Sequence, residues 1–280
     1  MSLAPGSLRL SGPVVLAGAG KMGSALLSGW LEQGLPPESV LVQEPSLSGD
    51  AADLIRSRAI KTAPSLAGLS SPPSVVLVAV KPQAMDAVFP DLAKLCGPDT
   101  VVVSIAAGKS IASFERHLKP GAAVVRAMPN TPAAIGRGIT GAAPNKNVTP
   151  AQKELCQSLL ASVGEVVWLD DESLIDAVTA VSGSGPAYVF LLAEAMAAAG
   201  KAAGLDAETA LRLASATVSG AGELLRRSGT DPATLRQNVT SPGGTTAAAL
   251  AVLMRDKDGL QDLMTEAVLA AKKRGRELGG

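Results

Sequence analysis

Gly18, Gly20 and Gly23 stand in the run Gly18-Ala19-Gly20-Lys21-Met22-Gly23, directly after the apolar stretch Val14–Ala17. This GxGxxG spacing suits a strand-to-helix turn that receives a pyrophosphate. The first glycine makes the tight turn and the second lets backbone N–H groups approach the phosphates. The third lets helix and strand pack closely. Glu44 closes the second apolar run, 44 − 23 = 21 residues past the last glycine. A carboxylate there accepts hydrogen bonds from the adenosine ribose hydroxyls and repels a 2′-phosphate, so charge alone leans the cofactor towards NAD(H). Val80-Lys81-Pro82 and Ala106-Ala107-Gly108 end two later apolar runs. Small residues at the carboxyl edge of such runs leave space for a nucleotide, and Lys81 is a candidate for its ribose or nicotinamide end. Each element also has a plainer reading: a ligand-free glycine turn, a solvated strand-end glutamate, a surface lysine.

Other chemistries find little support. The single histidine, His117, lies in a predicted surface helix over Ser110–Leu118, away from every motif. Cys96 and Cys156 are the only cysteines, and neither belongs to a CxxC pair or neighbours a histidine, so neither a zinc site nor a disulfide framework is expected. Lys plus Arg and Asp plus Glu number 25 each, and no basic stripe is interleaved with aromatics, which argues against a nucleic-acid partner. The dense basic run Lys272, Lys273, Arg274, Arg276 reads as a solvated helix end complementing the helix dipole. Met1 to Pro13 lacks a signal-peptide pattern. The uncharged tract Ala177–Ala193 is interrupted by Ser182-Gly183-Ser184-Gly185-Pro186 and reads as too short and broken to span a bilayer. A cytoplasmic protein is expected.

The elements that must position these residues follow from composition and periodicity. Hydrophobic residues make up 47 % of the 280 and aromatics 2 %, so Ala, Val and Leu must fill the interior. Short Val-rich runs at Val14–Leu16, Val40–Val42, Val75–Val80, Val101–Ile105 and Val124–Arg126 alternate with segments of helical spacing. Strands buried on both faces and separated by helices imply a doubly wound parallel sheet. Ile139–Ala143 and Glu165–Leu169, flanking a helix near 150–162, extend it. Beyond Asp170 no strand-like run appears. Pro186–Ala203 is apolar nearly all round, so it is buried or forms a subunit interface. Asp206 and Asp231-Pro232 are helix-start signals, and Leu260, Leu263, Met264, Ala267, Val268 and Ala271 form an amphipathic stripe. Residues 1–170 are therefore expected to form a Rossmann-type α/β domain and residues 171–280 an all-helical domain.

Three further stretches carry a family resemblance. They are Met128-Pro129-Asn130-Thr131-Pro132, Ser182-Gly183-Ser184-Gly185-Pro186-Ala187-Tyr188, and Val239-Thr240-Ser241-Pro242-Gly243-Gly244-Thr245-Thr246. With Gly18–Gly23 and Val80-Lys81-Pro82, in this order and spacing, the chain resembles pyrroline-5-carboxylate reductases from about Val14 to Leu278, most specifically at Ser241–Thr246. The resemblance implies a Rossmann domain joined to a helical dimerisation domain, reduction of a cyclic imine to L-proline, and a site formed between subunits of an intertwined dimer. Dimers in many members gather into larger rings. It implies cofactor contacts at Ala19, Lys21, Met22, Ala107 and Asn238, and substrate contacts at Thr245 and Thr246. Many relatives carry a small polar or basic residue at the place of Glu44 and use NADPH, so both NADPH and NADH stay open.

For such a substrate, backbone N–H groups of Gly243, Gly244, Thr245 and Thr246 at a helix start are expected to bind the carboxylate, with Ser241 beside them. Each charge-assisted bond contributes roughly 1.5–3 kcal/mol. Thr246 is the candidate to bind or protonate the ring nitrogen, and positioning against the nicotinamide does most of the catalysis. The turn Met128, Pro129, Asn130 is expected to cover the cofactor, with Asn130 also satisfying local backbone groups. Ser182–Pro186 is expected as a loop lining the site, Ser182 or Ser184 capping the next helix. Two other readings compete. A β-hydroxyacid dehydrogenase would need a helix-borne lysine base, and Lys201 stands at the wrong end of its helix for that. A non-enzymatic dinucleotide sensor would lack the Gly-Thr anion site.

Overall fold

The computed structural model describes residues 10–63, 69 and 71–279. Residues 1–9, most of the leading stretch considered for a signal sequence, lie outside the described residues. One compact unit takes the chain up to Gly183 together with its end from Lys272; a second comprises Ser184–Ala271.

The first unit alternates β1 (Val14–Ala17), α1 (Lys21–Glu32), β2 (Val40–Gln43), α2 (Gly49–Ser57), β3 (Lys61–Thr62), β4 (Val75–Val78), α3 (Met85–Ala93), β5 (Val101–Ser104), α4 (Ile111–Glu115), β6 (Ala123–Met128), β7 (Gly138–Pro144), α5 (Pro150–Ala161), β8 (Gly164–Trp168) and α6 (Ile175–Val178). The sheet order is β3-β2-β1-β4-β5-β6-β7-β8. Val14 and Leu16 face a core with Leu26, Leu27, Trp30 and Leu160, whereas Val15 faces the opposite core with Val76, Val78, Phe89 and Phe114. Burial on both faces explains the unbroken Val runs and the parallel crossovers through helices. The Trp30 indole donates to the Leu159 carbonyl at 2.9 Å, satisfying its one polar atom inside the first core.

The parallel expectation holds for β1 to β6 but needs correction beyond. β7 runs antiparallel to β6, and β8 pairs parallel with β7. The connection from Met128 to Gly138 holds only a short 3-10 turn, Thr131–Ile135, ended by Gly136 at φ 66°. A link that short cannot carry a parallel crossover, so the chain reverses. β3 offers no apolar run because Lys61 and Thr62 are both exposed. The helix expected over Ser110–Leu118 is cut to Ile111–Glu115, with Ser110 before its first turn.

The second unit contains α7 (Gly185–Ala202), α8 (Ala207–Ser228), α9 (Pro232–Asn238), α10 (Thr245–Leu253) and the body of α11 (Leu260–Gly279). Asp206 and Asp231 cap α8 and α9, accepting from the N–H groups of Thr209 and Thr234 at 2.9 and 3.0 Å. Little apolar surface is hidden here: Ala210 and Ala214 of α8 are buried, and no residue of α7 is. Phe190 and Leu191 are 63 % and 62 % exposed, so the helix that is apolar all round is left with uncovered apolar surface within its unit.

The Ser182–Gly185 segment does not break the helical run as expected. Thr179–Gly183 forms a π-helical turn between α6 and α7, and Ser182 Oγ donates back to the Val178 carbonyl at 3.0 Å. The helical stretch Glu172–Ala202 is 31 residues, long and apolar enough by length and composition to cross a membrane, so interruption is no argument against it. Ser184 precedes α7 without a side-chain cap bond, and Ser182 is not a cap either.

Candidate functional site

In the first unit the glycine run sits where β1 turns into α1. Gly18 has φ 95°, a left-handed conformation that strains any side chain, and an added Cβ would lie 2.8 Å from the Ala79 carbonyl group. Its N–H bonds the Gln43 carbonyl and so ties the turn to the end of β2. Gly23 touches Gly18: an added Cβ would stand 2.1 Å from the Gly18 oxygen. Gly20, the helix cap, has free space over its Cα, no side-chain cap bond and no acid in the following turn. Lys21 is exposed and Met22 half-buried on the first turn. A helix start left bare in this way suits a phosphate. The residues present therefore fit a dinucleotide.

Glu44 stands at the rim of this turn. Its Oε2 accepts from the Ala19 N–H at 3.1 Å and its Oε1 from the Ser46 N–H at 3.0 Å. The carboxylate is held in place by backbone, not left as a loose strand-end side chain. Gly18, Glu44, Val80 and Lys81 line one cavity of about 280 Å³ with Ala84 and Val88 of the α3 region. Sequence reasoning passed over Gln43, which lines it too. Ala107 is exposed beyond β5.

Met128, Pro129 and Asn130 leave the end of β6. The Asn130 side chain spans two segments, donating to the Ser182 carbonyl at 3.1 Å and accepting from the Ile139 N–H at 2.9 Å. The Met128 side chain fills the space beside Gly183, where an added Cβ would be 2.9 Å from its terminal methyl. Asn130 thus couples the turn after β6 to the π turn, a type of helical irregularity often found at working sites.

A buried ion network was not foreseen. Arg126 of β6 is 8 % exposed and reaches Glu172 at 3.1 Å and Asp176 at 3.4 Å. Glu172 Oε1 also accepts from the Ile111 N–H at 2.8 Å, at the start of α4. Arg276, read from sequence as a solvated helix end, lies 3.8 Å from Asp176. A charged residue in a strand buried on both faces must be paired, and that was the available signal. His117 is exposed, its ring edge-on to Phe89 at 6.0 Å. Both cysteines are free, and no cluster able to hold a metal ion occurs among the described residues.

In the second unit α10 begins at Thr245, with Gly244 as its cap at φ −79°, ψ 174°, no side-chain cap bond and no acid in the first turn. Gly243 adopts φ 69°, and the Gly244 N–H bonds the Ser241 carbonyl at 3.0 Å. That internal bond removes Gly244 from the expected set of amides for an anion. The N–H groups of Thr245 and Thr246 remain at the helix start, where no intrahelical carbonyl can meet them. Thr246 is half-buried and Thr245 exposed; Ser241 is exposed in the preceding turn. Asn238 ends α9 in this same unit.

Comparison with known proteins agrees with this architecture. Residues 172–278 match the family model described as pyrroline-5-carboxylate reductase dimerisation, and residues 13–108 match that described as NADP oxidoreductase, coenzyme F420-dependent. A pyrroline-5-carboxylate reductase of Pseudomonas aeruginosa is 44 % identical over 95 % of this chain and 96 % of its own length. A structure of a pyrroline-5-carboxylate reductase from Coxiella burnetii superposes with TM-score 0.88 at 34 % identity, covering 96 % of this chain and 99 % of that one. The pyrroline carboxylate reductase of Plasmodium falciparum, solved with NADP bound, gives TM-score 0.79 at 28 % identity over 96 % of this chain and 99 % of its own. With a match to that dimerisation model and a relative 44 % identical over nearly the whole of both chains, the chain belongs to the pyrroline-5-carboxylate reductase family.

Proposed function

We propose that the protein reduces the C=N bond of 1-pyrroline-5-carboxylate to give L-proline, the closing step of proline synthesis, at the expense of NADH or NADPH. The observation that carries this reading is the bare, glycine-capped start of α10, set against the side-chain caps of α8 and α9. An imino acid needs its carboxylate held, and the amides of Thr245 and Thr246 hold it by hydrogen bond and helix dipole. A cyclic imine is basic enough to take its proton from water near neutral pH, so no strong protein acid is required. Thr246 Oγ orients the ring nitrogen, and where it gives that nitrogen its own proton as the hydride arrives it recovers one from water. The bound nicotinamide supplies the hydride. The amides at the start of α1 hold the pyrophosphate, Glu44 faces the adenosine ribose, and Lys81, Ala107, Met128, Pro129 and Asn130 complete the nucleotide contacts of the first unit. Ser241 and Gly243 shape the approach to the substrate.

Glu44 also sets our expectation for the cofactor. A carboxylate held by two backbone N–H groups cannot swing away from a 2′-phosphate, so NADH is preferred over NADPH. On the same reading the protein is a cytoplasmic homodimer whose dimers gather into larger rings, with neither nucleic acid nor membrane as a partner. Zero formal net charge supports the first exclusion. The matched dimerisation region over the apolar run Glu172–Ala202 supports a protein partner for that surface.

The test is to follow NADH and NADPH oxidation with pyrroline-5-carboxylate and with its six-membered homologue. Turnover of the five-membered imine with at least tenfold higher kcat/KM for NADH is expected. Activity on 3-hydroxy acids alone would replace this reading by a dehydrogenase, and nucleotide binding without turnover of either imine would replace it by a sensor.

A further inference from the structure

The inner wall of the nucleotide cavity carries an unexplained polar atom. Side chains alternate along β2, so Leu41 and Gln43 point to the face covered by α3, opposite Val40 and Val42. Gln43 lines the cavity together with Gly18, Glu44, Val80, Ala84 and Val88. Its Oε1 is shielded from solvent and has no hydrogen-bond partner, the single buried side-chain oxygen or nitrogen in that state among the described residues. A buried acceptor without a donor is destabilising and is rarely kept without a use. The Gln43 backbone is meanwhile fixed, since its carbonyl receives the Gly18 N–H of the fingerprint turn at 2.9 Å. The terminal amide torsion of a glutamine is broad, so Oε1 can turn towards a donor in the cavity that the side chain lines.

The surroundings select the donor. Ala79, Val80, Ala84 and Val88 offer apolar walls suited to a base, and the carboxylate of Glu44 stands at the rim. A phosphate brings only acceptors and cannot satisfy Oε1. A nucleoside brings donors: the exocyclic amino group of adenine and the ribose hydroxyls. We infer that the Gln43 carboxamide is a recognition group for the adenosine half of the nucleotide, its buried Oε1 accepting a hydrogen bond from the base or the ribose. The inference rests on the dinucleotide reading given above and adds a residue to it.

Calorimetric titration of the full chain with ADP-ribose, which lacks the nicotinamide and is not turned over, tests it directly. Gln43→Met keeps the length of the side chain and removes the acceptor; Gln43→Leu is the second variant. Affinity falls about three- to tenfold in each, the factor expected of one neutral hydrogen bond. The Tm of the nucleotide-free protein does not fall, because an unsatisfied acceptor has been removed. Wild-type protein is titrated in parallel with the hypoxanthine analogue, which lacks the amino group, and with the 2′-deoxy and 3′-deoxy analogues of the adenosine ribose. One of them loses the same factor and loses nothing more in the variant, which identifies the donor. Equal affinity of wild type and both variants overturns the inference and leaves Oε1 to an ordered water. Equal affinity of wild type for all four ligands overturns it as well, whether or not a variant folds. Absence of any ADP-ribose binding by wild type would instead remove the dinucleotide reading itself.

Discussion

Replacing Gly20 by Ala separates the nucleotide from the fold. Gly20 has φ −67° and ψ −171°, extended backbone that alanine adopts freely, and the added Cβ meets nothing within 4 Å. The folded chain therefore accepts the methyl, and the unfolded chain's lost freedom, a gain of about 0.4–1 kcal/mol, is offset by a loss of similar size because alanine is a poorer N-cap than glycine. For a protein of this size Tm stays within roughly 3 °C of wild type. On the proposed nucleotide contacts, the space taken is the space a pyrophosphate needs over the start of α1. Overfilling a close contact costs about 1–3 kcal/mol, which is roughly 5- to 150-fold in Kd. Gly23→Ala is the contrast, because its Cβ would lie 2.1 Å from the Gly18 oxygen, 1.3 Å short of an ordinary 3.4 Å contact. Helix and strand must part, so stability and affinity fall together. The assays are NADH binding by calorimetry and Tm by scanning calorimetry on the same samples. If Gly20→Ala binds NADH as tightly as wild type while Tm is held, the turn is not the phosphate seat.

Three further outcomes follow from the same geometry. Thr246→Ala is expected to lower kcat/KM for the imine by at least tenfold, with Tm little changed; an unaltered value removes Thr246 from proton transfer and orientation. Arg126→Met leaves Glu172 and Asp176 facing each other without their shared cation. Since Glu172 is partly open, the cost sits near the low end for a broken buried pair, about 3 kcal/mol, read from the urea midpoint; a change under 0.5 kcal/mol would show the network to be idle. Burial pushes the Cys96 thiol up to about 11 and the Cys156 thiol to about 12. Both stay protonated in the folded protein at pH 8, so buried Cys156 resists a thiol reagent until the chain unfolds and half-buried Cys96 reacts slowly. Because the folded values are raised, the unfolded state alone loses protons above about pH 9. Stability is therefore complete below that pH and declines between about 9 and 12. Rapid labelling of both thiols under native conditions would contradict the packing around them.

Much of this protein was legible in its residue order. The Val runs of β1, β2, β4, β5 and β6 can only be strands buried twice over, and the glycines at 18, 20 and 23 announce the turn between β1 and α1. Asp206 and Asp231 mark the helices they cap because a short acceptor before a helix has one local use. These features depend on neighbours a few residues away, so the chain carries them by itself. Long-range pairing decided the rest. Nothing in Gly138–Pro144 states that it runs antiparallel to β6; the brevity of its link does so only once both strands lie in one sheet. Ser182–Gly185 looked like a break, yet the Asn130–Ser182 bond and the methyl of Met128 against Gly183 accompany a π turn there. Glu44 read as a free ligand group and is held by the amides of Ala19 and Ser46, while its neighbour Gln43 went unnoticed. Periodicity tells which face a side chain takes; what it meets there is set by segments that only the fold brings together.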